Sequence, residues 1–294
     1  MQAFYEAAGT TRQAHHQWRQ PSELAQKRTP EELVVLMAKE VRREHLPGSG
    51  ARELYAFIRK KLPEHSELLT GWGKHRFEKC CLGNGLRVVS RRFVPKTTTR
   101  GQFVFPNLIE GATINASDRV WVSDITYIFD ADGKLIGYAT SLIDLYDKWL
   151  LGLAFSTTMH AAVTSRAVLE QALRQKKAAR FDGLSFHSDM GKQYIESGFL
   201  ATLRSHGIAS SMARNCFENP VAEAFNDVLK NHLLHDTTIN SIPQLKKIAP
   251  FLIDCYNHNK PHSALAGMTP LEFRNWILDL PISQRPLLEI KVVA

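Results

Sequence analysis

Cysteine is scarce: there are four in 294 residues, with no Cys-x-x-Cys spacing anywhere. The adjacent pair Cys80 and Cys81 suits neither a zinc site nor an ordinary bridge, and Cys216 and Cys255 stand alone. Reduced thiols are expected, and a disulfide-built mini-protein is excluded. His15 and His16 complete no ligand spacing with those cysteines, so no structural zinc is expected. Long apolar runs are also missing. No stretch of eighteen apolar residues is available to cross a membrane, and the opening MQAFYEAAGTTRQAHHQWRQ lacks the apolar centre of a secretory signal. A cytoplasmic protein with no membrane partner is the expectation. There is no internal repeat, low-complexity tract or sustained heptad pattern, which excludes a solenoid and a long coiled coil. Hydrophobic residues make 44% and charged residues 22%, as in ordinary globular chains, and the length allows two or three compact units.

Charge is unevenly shared along the chain. The formal net charge is +8, and residues 1–101 hold 19 Lys and Arg against 10 Asp and Glu, while the remaining 193 residues hold 18 against 19. A basic first third joined to a near-neutral remainder reads as a module for a polyanion beside a domain with another task.

The basic third is helical in pattern. Thr29-Pro30-Glu31-Glu32 offers a capping hydroxyl, proline at the first helical position and acids in the first turn; the helix is expected to stop before Pro47-Gly48-Ser49-Gly50. Residues 51–62 place Leu54, Tyr55, Ile58 and Leu62 on one helical face, and a third helix fits residues 74–82, ended by Gly83-Asn84-Gly85. This is compatible with a helix-turn-helix unit, although any small basic bundle shares the pattern. Residues 91–101 are basic, threonine-rich and broken by Pro95; they read as a linker whose Arg91, Arg92 and Lys96 lie along a phosphate backbone.

From Asp118 the texture becomes β-rich. Strands are expected at residues 120–128, 135–143 and 149–156, the first two joined through the turn Asp130-Ala131-Asp132-Gly133, as an antiparallel meander. A helix over residues 165–177 follows, then a strand at 184–187, a helix at 197–206, a strand at 208–212 and a helix at 219–234. The order β-β-β-α-β-α-β-α is that of a ribonuclease H-like α/β fold, a mixed five-stranded sheet flanked by helices, and other α/β folds share it. The expected organisation is an N-terminal arm (1–29), a basic helix-turn-helix-like domain (30–92), a linker (93–116), the α/β core (117–235) and a helical C-terminal extension (236–294).

Three acids stand where such a topology brings them together. Asp124 interrupts the apolar strand Trp121-Val122-Ser123-Asp124-Ile125, where an unpaired charge is costly; Asp189 ends the strand in His187-Ser188-Asp189-Met190-Gly191, with Gly191 permitting a tight turn; Glu223 falls early in the last core helix. Carboxylates from a central strand, its neighbour's end and a facing helix make hard oxygen ligands for magnesium or manganese, and two such ions suit in-line phosphoryl transfer. Taken singly, each acid is more simply an ion-paired or capping residue. Asp144 and Asp147 are expected in turn and ion-pair roles, and His187 in support of Asp189.

Four blocks in order, VWVSDITYIFDADGKLIGYATSLIDLYDKWLLGLAFS, HSDMGKQY, NCFENPVAEAFNDVLKNHLL and YNHNKPHSALAGMTPLEFR, resemble the OrfB-type transposases of the insertion-sequence-three family, which carry retroviral-integrase-like DDE cores. The resemblance spans residues 30–275, and GSGARELYAFIRKKL is similar to the family's helix-turn-helix segment. It implies that Asp124, Asp189 and Glu223 are the catalytic, metal-binding triad for two magnesium or manganese ions. It further implies that Lys230, seven residues after Glu223, meets DNA; Arg214, in the loop before that helix, joins Arg91, Arg92 and Lys96 as an expected DNA contact. Thirty-three residues separate Asp189 from Glu223, where relatives usually have thirty-five, so Glu218 and Asp227 are rivals for the third position. The implied reaction is metal-dependent DNA cleavage and strand transfer by transesterification at insertion-sequence ends. It would be carried out by a homo-oligomer on element and target DNA, with an OrfA-like DNA-binding partner or fusion. Two other readings stay open: a DNA-binding or assembly protein with a silent core, and a metal-dependent nuclease that cuts without joining.

Overall fold

The computed structural model describes residues 30–88, 104–130, 132–214, 218–235 and 237–291. Arg91, Arg92 and Lys96 lie outside the described residues, as do residues 1–29. The described chain falls into two compact units: residues 30–42 with 50–87, and residues 43–49 with those from 88 onward.

The first unit is helical, with α1 (Pro30–Glu44), α2 (Ala51–Lys61), α3 (Pro63–Ser66) and α4 (Lys74–Gly83). α2 and α4 bury Leu54, Phe57 and Ile58, and Phe77 and Cys81, respectively, the apolar positions spaced three and four apart. Tyr55 lies 5.4 Å from the Phe77 ring and donates its hydroxyl to Trp72 O at 2.9 Å, fastening α2 to the turn before α4. Arg76 lies 4.1 Å over the Trp72 ring and pairs with Glu31 of α1 at 3.0 Å.

The second unit runs β1 (Thr113–Ile114), β2 (Val120–Phe129), β3 (Leu135–Asp144), β4 (Leu150–Ser156), α5 (Ser165–Lys176), β5 (Ser185–Ser188), α6 (Ser197–Ser205), β6 (Ala209–Met212), α7 (Pro220–Val228), α8 (Ile242–Asp254), α9 (Pro270–Leu278) and β7 (Leu288–Glu289). The five-stranded sheet has the order β4-β3-β2-β5-β6. β2, β3 and β4 form the antiparallel meander, whereas β5 and β6 run parallel to β2 after helical crossovers. This is the ribonuclease H-like arrangement read from the element order. Alternation along β2 sorts its side chains: Val120 and Val122 join the core under α7, α8 and α9, while Trp121 joins the core under α5 and α6. Gly152 of β4 lets α5 approach closely, since a β-carbon there would stand 2.8 Å from Val168 O.

Two expectations need correction. The last core helix is not uniform: α7 ends at Val228 and continues as a wider π-helical turn, Leu229–Leu233. The C-terminal extension is not wholly helical, because β7 returns to pair antiparallel with β1, Thr113 opposite Glu289. Strands two residues long carry no readable period in sequence.

The outer strand β4 is closed by side-chain amides. Asn257, 1% exposed, accepts from Leu150 N at 2.8 Å and donates to Leu150 O at 3.1 Å, and Gln171 makes the same paired contact with Leu153 at 2.9 and 3.3 Å. At the β3–β4 turn, Asp144 accepts from the backbone N–H of Asp118 and Tyr146, and Asp147 from Ser117 Oγ, Trp149 N and Arg274 Nε at 2.6, 3.0 and 2.7 Å. These are the turn and ion-pair roles expected of the two acids. Burial and the Asp147 charge raise the Asp144 carboxyl, and Arg274 counters that. Arg274→Ala is expected to leave Asp147, which is fully buried, without its cation and to lower stability by about 3–5 kcal/mol, read as a reduced urea midpoint.

Candidate active site

Asp124 and Asp189 are brought together by strand register. β2 and β5 pair in parallel up to Val122 opposite His187; β5 ends at Ser188 and Asp189 follows it directly, where its charge acts on Asp124 of β2. β2 is also the strand at which the sheet order reverses, with its antiparallel partner on one side and the parallel pair on the other. Carboxyl ends of parallel strands at such a point form the crevice in which α/β folds place ligands. Asp124 has the parity of Val122 and therefore faces α7.

Each carboxylate is held by uncharged donors. Asp189 Oδ1 accepts from Gly191 N at 3.0 Å, and Asp124 Oδ2 accepts from Asn226 Nδ2 at 2.6 Å. Gly191 has φ −65°, which any residue adopts, so the turn does not require glycine as expected; a β-carbon there would meet first the Gln193 side-chain amide and then Asp189 Oδ1, at 2.9 Å. Behind the pair, fully buried Tyr194 shares a 3.0 Å hydrogen bond with Ser123 Oγ, which itself donates to Ser141 O at 2.7 Å.

Burial, then the charge of Asp189, pushes the Asp124 carboxyl up to about 7, against the lowering effect of the Ile125 N–H and Asn226. Asp189 is raised as well, by burial. Glu223 lies in the first turn of α7 and is exposed; burial raises it slightly, and its charge reaches Asp124 only as the weakest of that group's influences. Among the described residues no three His, Cys, Asp or Glu side chains stand close enough to enclose an ion. The register thus pairs the two aspartates, and Glu223 stands at the rim.

The rivals of Glu223 are occupied elsewhere. Glu218 accepts from Asn107 Nδ2 at 2.7 Å and from Arg214 N at 2.9 Å, so it closes the loop before α7. Asp227 accepts from Asn231 of the same helix at 2.5 Å. Arg214, expected to contact DNA, pairs its guanidinium with Glu110 and Glu218. Lys230, two turns beyond Glu223, is half-buried; burial lowers its ammonium and the charges of Asp124 and Asp227 raise it. His187 does not support Asp189: its Nδ1 meets Ser211 Oγ at 2.9 Å and its Nε2 meets Glu218 O at 3.1 Å, while burial drives it down to about 4 and keeps it neutral. Its ring crosses to β6 and the chain entering α7. Asn226 was not foreseen, because an asparagine inside an amphipathic helix carries no signal until the partner strand is known.

Because Asp124 is raised in the fold, its ionisation costs stability as pH climbs from about 4, where the unfolded carboxyl titrates, to about 7. In metal-free protein, Asp124→Asn is expected to be more stable than the parent above pH 7, by on the order of 4 kcal/mol. The difference should vanish below pH 4, and urea titrations across that range check it.

Residues 115–216 and 207–270 match two integrase core domain families. The chain is 31% identical over 197 residues to transposase InsF of insertion sequence IS3A from Escherichia coli, covering 65% of this chain and 67% of that protein. It is 30% identical over 175 residues to the transposase of insertion sequence element IS904 from Lactococcus lactis, covering 58% and 67%. An uncharacterised 31 kDa protein of insertion element IS600 from Shigella sonnei is 27% identical over 274 residues, covering 90% and 95%. A weaker structural likeness is to the HTLV-2 integrase catalytic core domain in complex with magnesium, with 16% identity, 54% and 97% coverage and a TM-score of 0.41. The integrase core matches run through both aspartates and the glutamate, and identity to the IS3 transposase extends over two thirds of that protein: the chain belongs to the IS3-type transposases, polynucleotidyl transferases acting at insertion-sequence elements.

Proposed function

We propose that Asp124, Asp189 and Glu223 are the catalytic carboxylates of this transposase and hold a pair of magnesium or manganese ions during DNA cleavage and strand transfer. The observation that carries the proposal is the placement of Asp124 on β2 and of Asp189 directly after β5, the strand that pairs in parallel with β2, close enough for the two charges to act on each other. Two carboxylates lie side by side, both raised, with neutral donors around them and hard oxygens as their only ligand atoms, a donor set that fits a divalent cation. Bound there, the ions supply Lewis-acid activation of the attacking oxygen and stabilise the leaving oxygen of the phosphodiester.

The chain's own residues position the reactants. Asp124 is fixed on β2 and Asp189 directly after β5, and Glu223 completes the set from α7. Lys230 extends the same helical face and meets a DNA phosphate beside the reacting one. Arg214, already paired with two carboxylates, takes no part in this reading. In the basic first unit, Lys74, His75 and Lys79 are exposed on α4, whose first turn holds no acid, and this face grips DNA outside the cleavage point. Water first hydrolyses one phosphodiester, leaving a 3′-hydroxyl; that hydroxyl then attacks a second phosphodiester, displacing its 3′ oxygen, so no covalent enzyme intermediate and no ATP are needed. The assembly is a homo-oligomer on paired element ends in the bacterial cytoplasm, aided by an OrfA-like DNA-binding partner. Among the described residues no helix is long and apolar enough to cross a membrane.

Purified protein, magnesium or manganese and labelled element-end DNA are expected to give both cut and joined products. Asp124→Asn, Asp189→Asn and Glu223→Gln should each lower the joining rate at least a thousand-fold while leaving DNA retention in gel-shift assays unchanged. Full joining by any one variant removes that residue from the set. Cutting without joining by the parent chain returns the nuclease reading.

A further inference from the structure

Two asparagine side chains bracket Glu223, and both reach β2. Asn219, buried at the N-cap position of α7, donates its Nδ2 to Ser123 O at 3.1 Å. Asn226, three residues beyond Glu223, donates its Nδ2 to Asp124 Oδ2 at 2.6 Å. The two acceptors are consecutive residues of the strand that carries the first catalytic aspartate. The helix bearing one proposed metal ligand is therefore fastened, on both sides of that ligand, to the strand bearing another.

We propose that Asn226 is a positioning residue for the catalytic carboxylates, and that with Asn219 it forms a latch that fixes Asp124 in one rotamer and sets α7, with Glu223, against β2. The inference rests on the carboxylate assignment above. A carboxylate beside a second carboxylate is pushed to turn away from it, and a short donor at Oδ2 opposes that rotation. An amide suits the task better than a cation does. A Lys or Arg at the same distance would neutralise the carboxylate and compete with a divalent ion, whereas a neutral amide orients Asp124 without bringing a positive charge to the site. The spacing supports the assignment too: Glu223, Asn226 and Lys230 follow at three and four residues, so acid, amide and ammonium run down one face of α7 and its π-helical continuation. Side chains that hold metal ligands in place typically change metal affinity ten- to a hundred-fold when removed.

The test uses the full chain without DNA and measures Mn2+ binding from the electron paramagnetic resonance signal of the free ion, beside strand joining at graded Mn2+. Asn226→Ala and Asn226→Leu, the second retaining most of the side-chain volume, are expected to weaken Mn2+ binding at least ten-fold. Both should raise by a similar factor the Mn2+ concentration for half-maximal joining, and Asn226→Leu should melt within a few degrees of the parent chain. Asn226→Gln, which keeps the amide, should recover part of both. If Asn226→Leu binds Mn2+ and joins DNA as the parent does, the side chain only fills space and the proposal is overturned. A parent chain that neither binds Mn2+ nor joins DNA overturns the carboxylate reading and the latch with it; a competent parent with indifferent variants overturns the latch alone.

Discussion

Like-charge repulsion inside a sheet is the constraint around which the site is arranged. The parallel pairing of β2 with β5 brings Asp124 of β2 near Asp189, which directly follows β5, two carboxylates with little water to screen them. Among the described residues no salt bridge reaches either carboxylate, although the Asp124 charge acts on the Lys230 ammonium. The surrounding donors are an amide, two backbone N–H groups and, behind them, the Ser123–Tyr194 hydroxyl pair. Such a pair lowers the stability of the resting fold and is tolerated because the rest of the sheet over-determines the positions of both strands. In the proposed reading, that unfavourable interaction is what a divalent cation bound between the carboxylates would relieve.

Rigidity comes from polar groups placed where the sheet would otherwise fray. Asn257 and Gln171 occupy the open edge of β4 with paired hydrogen bonds, as a sixth strand would. The Asp144, Asp147 and Arg274 cluster closes the β3–β4 turn and ties α9 to it, with the Arg274 guanidinium stacked 4.3 Å over Trp149. These groups lie far along the chain from one another, so the C-terminal segment is structurally part of the catalytic unit. Lys230, seven residues beyond Glu223 and so near the same face, lies in the π-helical turn Leu229–Leu233 that continues α7.

Much of this was legible beforehand, and the failures have physical causes. Strands with alternating or continuous apolar character, and helices with a stripe such as Val168, Leu169 and Ala172, announce themselves because burial acts on residues near in sequence. Asp124 was legible because a lone acid in an apolar strand is costly without a task. His187 was misassigned to Asp189, since its partners, Ser211 and the Glu218 carbonyl, lie on elements whose packing no local pattern reveals. Gly191 was explained by backbone freedom, whereas its φ is ordinary and a β-carbon there would instead meet the Gln193 amide. The C-terminal strand β7 was invisible at two residues, and Asn257 and Asn226 looked like ordinary polar positions on helices.

By itself, the sequence determined the element order and the basic character of the first third, because each depends on residue type and short-range period; it offered Asp124, Asp189 and Glu223 as candidate carboxylates, with Glu223 preferred over its rivals through the family resemblance. Only the tertiary structure decided which carboxylates meet, that Glu218 and Arg214 are tied to one another, and that two asparagines fasten α7 to β2. The approach of the carboxylates and the fastening of α7 to β2 depend on strand register and on contacts between residues far apart in sequence, 96 and 102 residues for the two asparagines, where a shift of one position would turn every side chain of the strand to the opposite face.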